Sequence, residues 1–134
     1  MPVIDASVYI SLINAAEEQH ASSWSWFERA QAGQETLSAP VILLAEVAAA
    51  LSRGVGDSEL ARRVVKQLKR SEAIELVPVT SALADQAATI AADHRIRGCD
   101  AIYVALASRL GDALVTLDRQ QLELAAAVVT VHRP

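Results

Sequence analysis

The stretch Val3-Ile4-Asp5-Ala6-Ser7 sets an apolar run directly against a carboxylate near the start of the chain. This pattern predicts a β-strand that ends at Asp5, and the apolar spacing of Val8, Leu12 and Ile13 predicts a helix after it. Acids are rare on core-facing segments, because an unpaired buried charge costs several kcal/mol. Asp5 is therefore a candidate functional residue at the carboxyl end of a strand.

Three further acids occupy comparable places on apolar segments. Glu46 lies inside the run 41–51, Asp100 follows Gly98, and Asp118 closes the run 113–117. Taken singly, these acids have ordinary explanations: a solvent-facing helix residue, a helix-start acid favoured by the macrodipole, and a turn acid. Asp5 could likewise only end a strand and cap a helix. Together the four acids predict a site for a hard, oxygen-seeking divalent cation.

Predicted strands and helices alternate along the sequence. The strands cover 3–5, 36–38, 74–79, 113–117 and 128–131, and the helices cover 8–14, 17–32, 40–53, 59–70, 81–95, 99–110 and 120–126. This alternation predicts an α/β fold, with a mostly parallel central sheet, right-handed crossovers and helices on both faces. Because ligands bind at the carboxyl ends of such strands, the four distant acids can meet at one edge of the sheet.

Composition fits a single domain, residues 1–134. The chain has 134 residues and a mass of 14.3 kDa, enough for one core and too little for two ordinary domains. Hydrophobic residues make up 52% and aromatic residues only 4%, which favours helices packed closely on a sheet. The net charge of −4 argues against a globally cationic nucleic-acid binder, although local basic patches remain.

Neither cysteine content nor hydrophobic segments indicate export or membrane insertion. Cys99 is the only cysteine, so no intrachain disulfide can form. The amino terminus lacks a basic segment followed by a long apolar one, and no apolar stretch is long enough to span a membrane. We therefore expect a cytoplasmic protein.

Four motifs in order resemble one family. They are Val3-Ile4-Asp5-Ala6-Ser7, the internal Glu46, Arg97-Gly98-Cys99-Asp100-Ala101-Ile102-Tyr103-Val104-Ala105-Leu106-Ala107, and Leu114-Val115-Thr116-Leu117-Asp118. The set resembles the PIN domain and, more closely, VapC-type ribonuclease toxins, over essentially the whole chain. The resemblance implies a three-layer PIN-like fold, with helices on both faces of the sheet.

The resemblance also implies an activity and its partners. It implies an endoribonuclease that depends on Mg²⁺ or Mn²⁺, hydrolyses RNA phosphodiester bonds, and is restrained by a cognate VapB-type antitoxin, usually as a homodimer. Asp5, Glu46, Asp100 and Asp118 match the family's acidic quartet. Cys99 is a departure, since many relatives carry Ala before the acid, and it should not disturb metal binding.

Roles for single residues follow from that match. Asp5 and Asp100 are the expected principal metal ligands, Asp118 completes the shell or acts through water, and Glu46 orients or deprotonates the attacking water. Three further residues are candidates for hydrogen bonds to the acids or contact with a scissile phosphate: Ser7, Thr116 and Arg97. Ser7 is also a candidate helix cap, and Thr116 could be only a strand residue.

Basic residues outside this set have two interpretations. The stretch from Arg53 to Arg70 either steers a phosphate backbone or forms a solvated helix face, and the solvated face is favoured. Arg95 and Arg97 lie closer to Asp100 in sequence. They are the better candidates for contact with phosphate or with an acidic antitoxin tail.

Three local predictions concern packing. Pro40 is expected in the first turn of the third helix. If Trp24 and Phe27 face the core, Trp26 is exposed and indicates an interface, whereas a broad helix face would bury all three. No motif places beside Cys99 the basic partner that a catalytic cysteine needs. Cys99 is therefore interpreted as a small packing residue.

Two other functions fit part of the pattern. One is a non-catalytic interaction module that keeps the PIN fold, which the presence of all four acids disfavours. The other is a phosphoacceptor signalling domain, which also places acids at strand ends. That function needs a lysine late in the chain, and the last lysine here is Lys69.

Overall fold

A computed structural model describes residues 1–134 and contains one parallel sheet. Its strands are β1 (Val3–Ile4), β2 (Leu37–Pro40), β3 (Ile74–Val77), β4 (Leu114–Val115) and β5 (Val131–His132). All neighbouring strands run parallel, in the order β3-β2-β1-β4-β5. The predicted mostly parallel α/β sheet is confirmed.

Seven α-helices connect or follow these strands. They are α1 (Ala6–Ile13), α2 (His20–Ala32), α3 (Leu43–Ala50), α4 (Ser58–Arg70), α5 (Ser81–His94), α6 (Gly98–Leu110) and α7 (Arg119–Leu124). A π-helical turn, Leu51–Val55, prolongs α3, and a 3₁₀ turn, Ala125–Ala127, prolongs α7. None of the helices has the length and hydrophobicity that a membrane-spanning segment requires.

The central strands are covered on both faces. Successive residues of a strand point to opposite sides of the sheet, yet every residue of β1, β2 and β4 is buried. Helix α6 contacts β1, β2 and β4 and buries a nearly continuous run from Ala101 to Ala107. It therefore crosses the middle of the sheet, and its first three residues, Gly98 to Asp100, lie outside the core. Cys99 is exposed, so its interpretation as a packing residue is wrong.

The strand order places β1 at a change of direction. From β1 the chain builds outward to β2 and β3, then returns through α5 and α6 to add β4 and β5 on the other side. Val3 pairs with Leu114 and Ile4 with Val115, so β1 and β4 end side by side. In open parallel sheets this topological switch point forms a crevice at the carboxyl ends of the strands.

The prediction that Pro40 begins a helix is wrong, because Pro40 is the last residue of β2 and is in register with Val77. The next residue, Val41, donates its N–H to the carbonyl of Val77 at 2.8 Å. Since successive N–H groups alternate sides, the missing N–H of Pro40 faces β1, whose register with β2 is confined to Val3 and Ser38. Pro40 therefore lies beyond the hydrogen bonds between β1 and β2 and, having no N–H, leaves no donor there without a partner.

The inward face of α2 also differs from the prediction. Ser23, Trp26, Phe27 and Ala30 pack inward at the spacing of one helical face, whereas Trp24 is 44% exposed. Trp24 and Phe27 lie three residues apart, a spacing that predicts a shared helix face. The spacing alone does not show whether Trp24 or Trp26 shares the core-facing side of the helix with Phe27.

Candidate active site

Asp5 lies enclosed immediately after β1 and is only 5% exposed. Its Oδ1 accepts hydrogen bonds from the Ser7 hydroxyl at 2.5 Å and from the Val8 N–H at 3.2 Å. Its Oδ2 accepts from the Thr116 hydroxyl at 2.5 Å and from the Gln121 amide at 3.4 Å. All four donors are uncharged, so Asp5 is a buried carboxylate without a cationic partner.

The two hydroxyls that hold Asp5 also join the end of β4 to the start of α1. The Ser7 hydroxyl accepts the N–H of Leu117 at 3.0 Å, and the Thr116 hydroxyl accepts the N–H of Asp118 at 3.0 Å. Asp5 itself caps α1, so the predicted capping role of Ser7 is wrong. The segment after β4 is thus positioned through the same groups that fix the carboxylate.

Asp118 and Asp100 share one guanidinium. Asp118 caps α7, with Oδ1 accepting the N–H groups of Gln120 and Gln121 at 2.8 and 3.1 Å. Arg97 donates from Nε to Asp100 Oδ2 at 2.9 Å and from Nη2 to Asp118 Oδ2 at 3.4 Å. The Arg97 side chain is 68% exposed, so these ion pairs contribute little to stability. They do bring Asp100 and Asp118 together across the switch point.

Glu46 enters the same region from α3. It is half-buried in the first turn of that helix, and its Oε1 accepts a hydrogen bond from the hydroxyl of Tyr103. Tyr103 lies three residues after Asp100 on α6, a spacing that puts both side chains on one side of the helix. Helix α6 therefore carries Asp100 and also orients Glu46.

Burial and mutual repulsion shape the ionisation of these acids. Burial raises the pKa of Asp5, the hydrogen bonds from Ser7 and Thr116 oppose that rise, and the charge of Asp100 adds to it. Burial likewise raises the pKa of Glu46, and the bond from Tyr103 lowers it. The charges of Asp100 and Asp5 raise the pKa of Glu46 further. The site therefore concentrates negative charge, which favours binding of a cation.

The carboxylates offer only oxygen ligands, which suit a hard divalent ion. In this conformation no three acid, histidine or cysteine side chains form a ready-made metal site. Mg²⁺ is usually held by one or two carboxylates and completes its shell with water and substrate phosphates. Asp5, which has no cationic partner, and Asp100 therefore fit such an ion without a third direct ligand.

The PIN domain family model matches residues 3–127. This chain belongs to the PIN domain family. The match covers every strand except β5 and all the acids described above. A search of curated protein sequences gives no match.

Solved structures with low sequence identity share this PIN fold. VapC20 of Mycobacterium tuberculosis, a sarcin-ricin loop cleaving toxin, aligns with a TM-score of 0.79 and 22% identity over 100% of both chains. VapBC2 of Rickettsia felis, bound to a promoter DNA fragment, gives 0.74 and 14% over 98% of this chain and 97% of that chain. DNA-bound VapBC of Salmonella typhimurium gives 0.73 and 16% over 99% and 98%.

Two polar residues at the site of this PIN domain were not predicted from the sequence. Tyr103 holds Glu46, and Gln121, which is 2% exposed, reaches Asp5 while its own Oε1 has no partner. Each lies three residues after an acid, at Asp100 and Asp118. This spacing could have indicated both residues, because on a helix it places the acid and the polar residue that follows it on one face.

Proposed function

We propose that this PIN domain is a metal-dependent endoribonuclease that hydrolyses RNA phosphodiester bonds. The proposal rests on Asp5. This carboxylate is buried at the switch point, has no cationic partner, and is close enough to Asp100 and Glu46 to feel their charges. Such an arrangement costs stability, since three negative groups raise one another's energy. A catalytic site for a polyanionic substrate, in which a metal ion supplies the missing positive charge, accounts for that cost.

Asp5 and Asp100 would hold Mg²⁺ or Mn²⁺, with Asp118 as a further ligand or as a contact through water. Bound there, a divalent ion offsets the negative oxygens of the phosphodiester and makes water more acidic. The hydroxyls of Ser7 and Thr116 keep both Asp5 oxygens in place. Arg97, exposed beside Asp100, is available to contact the scissile phosphate.

Glu46 is the proposed general base. Its raised pKa brings it closer to neutrality, where a base transfers protons efficiently while still ionised. It would accept a proton from the water that attacks phosphorus, the bond to the 3′ oxygen would break, and the departing 3′ oxygen would take a proton from solvent water. The products would carry a 5′ phosphate and a 3′ hydroxyl.

We further assign the protein to the toxin component of a toxin-antitoxin pair, with a VapB-type antitoxin as partner. Solved relatives of the same fold include VapBC2 of Rickettsia felis, VapBC of Salmonella typhimurium and a toxin-antitoxin complex from Klebsiella pneumoniae. Together with family membership, these complexes support the partnership. Assembly of the toxin as a homodimer remains a prediction.

Cleavage of single-stranded and structured RNA by the purified protein tests the nuclease assignment. We expect cleavage in Mg²⁺ or Mn²⁺ that EDTA abolishes, and loss of cleavage in Asp5→Asn and Asp100→Asn. Asp93→Asn is the matched control, because Asp93 is exposed on α5 and makes no side-chain hydrogen bond. Equal cleavage by wild type, Asp5→Asn and Asp100→Asn would refute the proposed mechanism.

Induction in a bacterial host tests the toxin assignment separately. Wild-type protein should arrest growth, Asp100→Asn should not, and co-expression of the neighbouring reading frame from the source genome should restore growth. Growth arrest by Asp100→Asn would show that toxicity does not depend on the acids.

A further inference from the structure

A cavity opens beside Asp5 on the side of α1. Its volume is about 320 Å³, and its wall includes Ser7, Ile10 and Leu117. Ser7 also donates to Asp5 at 2.5 Å, and Leu117 donates its N–H to Ser7 at 3.0 Å. The cavity therefore shares a wall with the cage around the buried carboxylate.

The cavity combines apolar walls with two free polar side chains. Ile10 and Leu117 supply aliphatic surface, while Glu17 and Gln19 reach it from the segment between α1 and α2. Neither the Glu17 carboxylate nor the Gln19 amide makes a hydrogen bond or ion pair within the chain. Their hydrogen-bonding capacity is available to a ligand.

We propose that this cavity receives a nucleobase flanking the scissile phosphate, and that Glu17 and Gln19 select a base with an exocyclic amino group. The inference rests on the proposed nuclease function and adds a determinant of its substrate. Sequence-specific recognition of single-stranded RNA uses unstacked bases that enter pockets and are read along their edges. Ser7 lines the cavity and also bonds to Asp5, so a base in the cavity would lie next to a phosphate held at the acids.

Charge favours a base over a phosphate as the occupant. The Glu17 carboxylate repels phosphate oxygens but accepts hydrogen bonds from the amino groups of cytosine, adenine or guanine. The Gln19 amide can donate and accept, as adenine recognition by glutamine requires. Uracil carries no exocyclic amino group, and its single ring N–H donor lies between two carbonyl oxygens that repel the Glu17 carboxylate.

Sequencing of cleavage products from a randomised single-stranded RNA pool tests the inference. The wild type should disfavour uracil at one position next to the cut, and Glu17→Ala and Gln19→Ala should each reduce that discrimination about tenfold. Glu18→Ala is the matched control, because Glu18 is exposed, lies between the two residues and does not line the cavity. It should keep the wild-type preference.

A binding measurement provides a second readout that does not need turnover. With Asp100→Asn protein, an RNA carrying an abasic residue at the selected position should bind more weakly than intact RNA. Glu17→Ala combined with Asp100→Asn should make the two RNAs nearly equal. Mn²⁺ affinity, measured by calorimetry, should be the same in Glu17→Ala and wild type.

Two outcomes would overturn the inference. The first is cleavage by the wild type without base preference next to the cut. The second is an unchanged preference in both Glu17→Ala and Gln19→Ala, and weaker antitoxin binding by these variants would then make the cavity a protein-binding site. In each case the nuclease proposal stands. Absence of any cleavage by the wild type would remove both proposals.

Discussion

The hydroxyl of Tyr103 in α6 donates a hydrogen bond to Oε1 of Glu46 in α3, across 57 positions of the sequence. Tyr103 is 1% exposed, and burial, followed by the bond to Glu46, raises the pKa of its phenol. The phenol therefore stays protonated and acts as a fixed donor. Because the bond lowers the pKa of Glu46, it favours the ionised carboxylate while holding it in one orientation.

Tyr103→Phe should reduce RNA cleavage about 10–100-fold, as loss of an orienting hydrogen bond does at metal sites. Without the donor the pKa of Glu46 rises, so the acidic limb of the pH–rate profile should move to higher pH. Mn²⁺ affinity should change little, because the Tyr103 hydroxyl makes no hydrogen bond to Asp5 or Asp100.

Tyr9→Phe is the matched control for this prediction. Tyr9 is also buried, at 8% exposed, and its hydroxyl makes no hydrogen bond within the chain. It should keep wild-type activity and the wild-type pH profile. A reduced rate in Tyr103→Phe with an unmoved acidic limb would mean that the tyrosine supports packing alone.

Thr116→Val should weaken both the site and the fold. The Thr116 hydroxyl donates to Asp5 and accepts the N–H of Asp118, so valine leaves two buried groups short of a partner. Each loss of this kind costs about 1–3 kcal/mol of unfolding free energy. Mn²⁺ affinity measured by calorimetry should fall about 10–100-fold. Thr36→Val, at a half-buried threonine without a side-chain hydrogen bond, should change neither quantity.

Periodicity and turn chemistry predicted most of this fold. Helix α4 lies almost where its sequence predicts, because Asp57 caps it and one strongly apolar face follows. The sheet could be predicted because apolar runs alternate with helices. Pro40 and Trp24 could not be assigned from local sequence. Each fits two local structures equally well, and tertiary contacts decide between them.

Some features of the candidate site could be predicted from the sequence, and others could not. The positions of Asp5 and Asp118 follow from strand ends, which a parallel sheet gathers at one edge. The bond between Tyr103 and Glu46 was not predictable, because it depends on how α3 and α6 lie relative to each other. No local pattern contains that relationship.

Asp5→Asn should make the folded protein more stable near neutral pH. Burial raises the pKa of Asp5 above its ordinary value of 3.8, so the folded state holds the proton more tightly than the unfolded chain. Stability therefore falls as pH rises from 3.8 through the raised pKa, and the penalty persists at neutrality. Asparagine carries no charge to desolvate and still caps α1 well.

Urea denaturation over a pH series measures this difference. The advantage of Asp5→Asn over wild type should be largest at neutral pH and should shrink as the pH falls toward 3.8, because the raised pKa of Asp5 lets the folded wild type take up its proton over this range. Asp93→Asn should show no such trend. A less stable Asp5→Asn protein at neutral pH would mean that the hydrogen bonds from Ser7 and Thr116 outweigh the burial of charge.

Arg97→Ala should separate metal binding from RNA binding. Arg97 is the cation that pairs with Asp100 and Asp118, so its removal should tighten Mn²⁺ binding by up to about fivefold, the equivalent of about 1 kcal/mol for an exposed pair. RNA affinity should fall instead, since a phosphate loses its guanidinium partner. Calorimetry with Mn²⁺ and RNA binding by Asp100→Asn protein with and without the change measure the two effects. Arg109→Ala is the control, because Arg109 is exposed and has no ion pair, and it should alter neither the Mn²⁺ affinity nor the RNA affinity. A loss of both affinities in Arg97→Ala would make Arg97 a purely structural link between the acids.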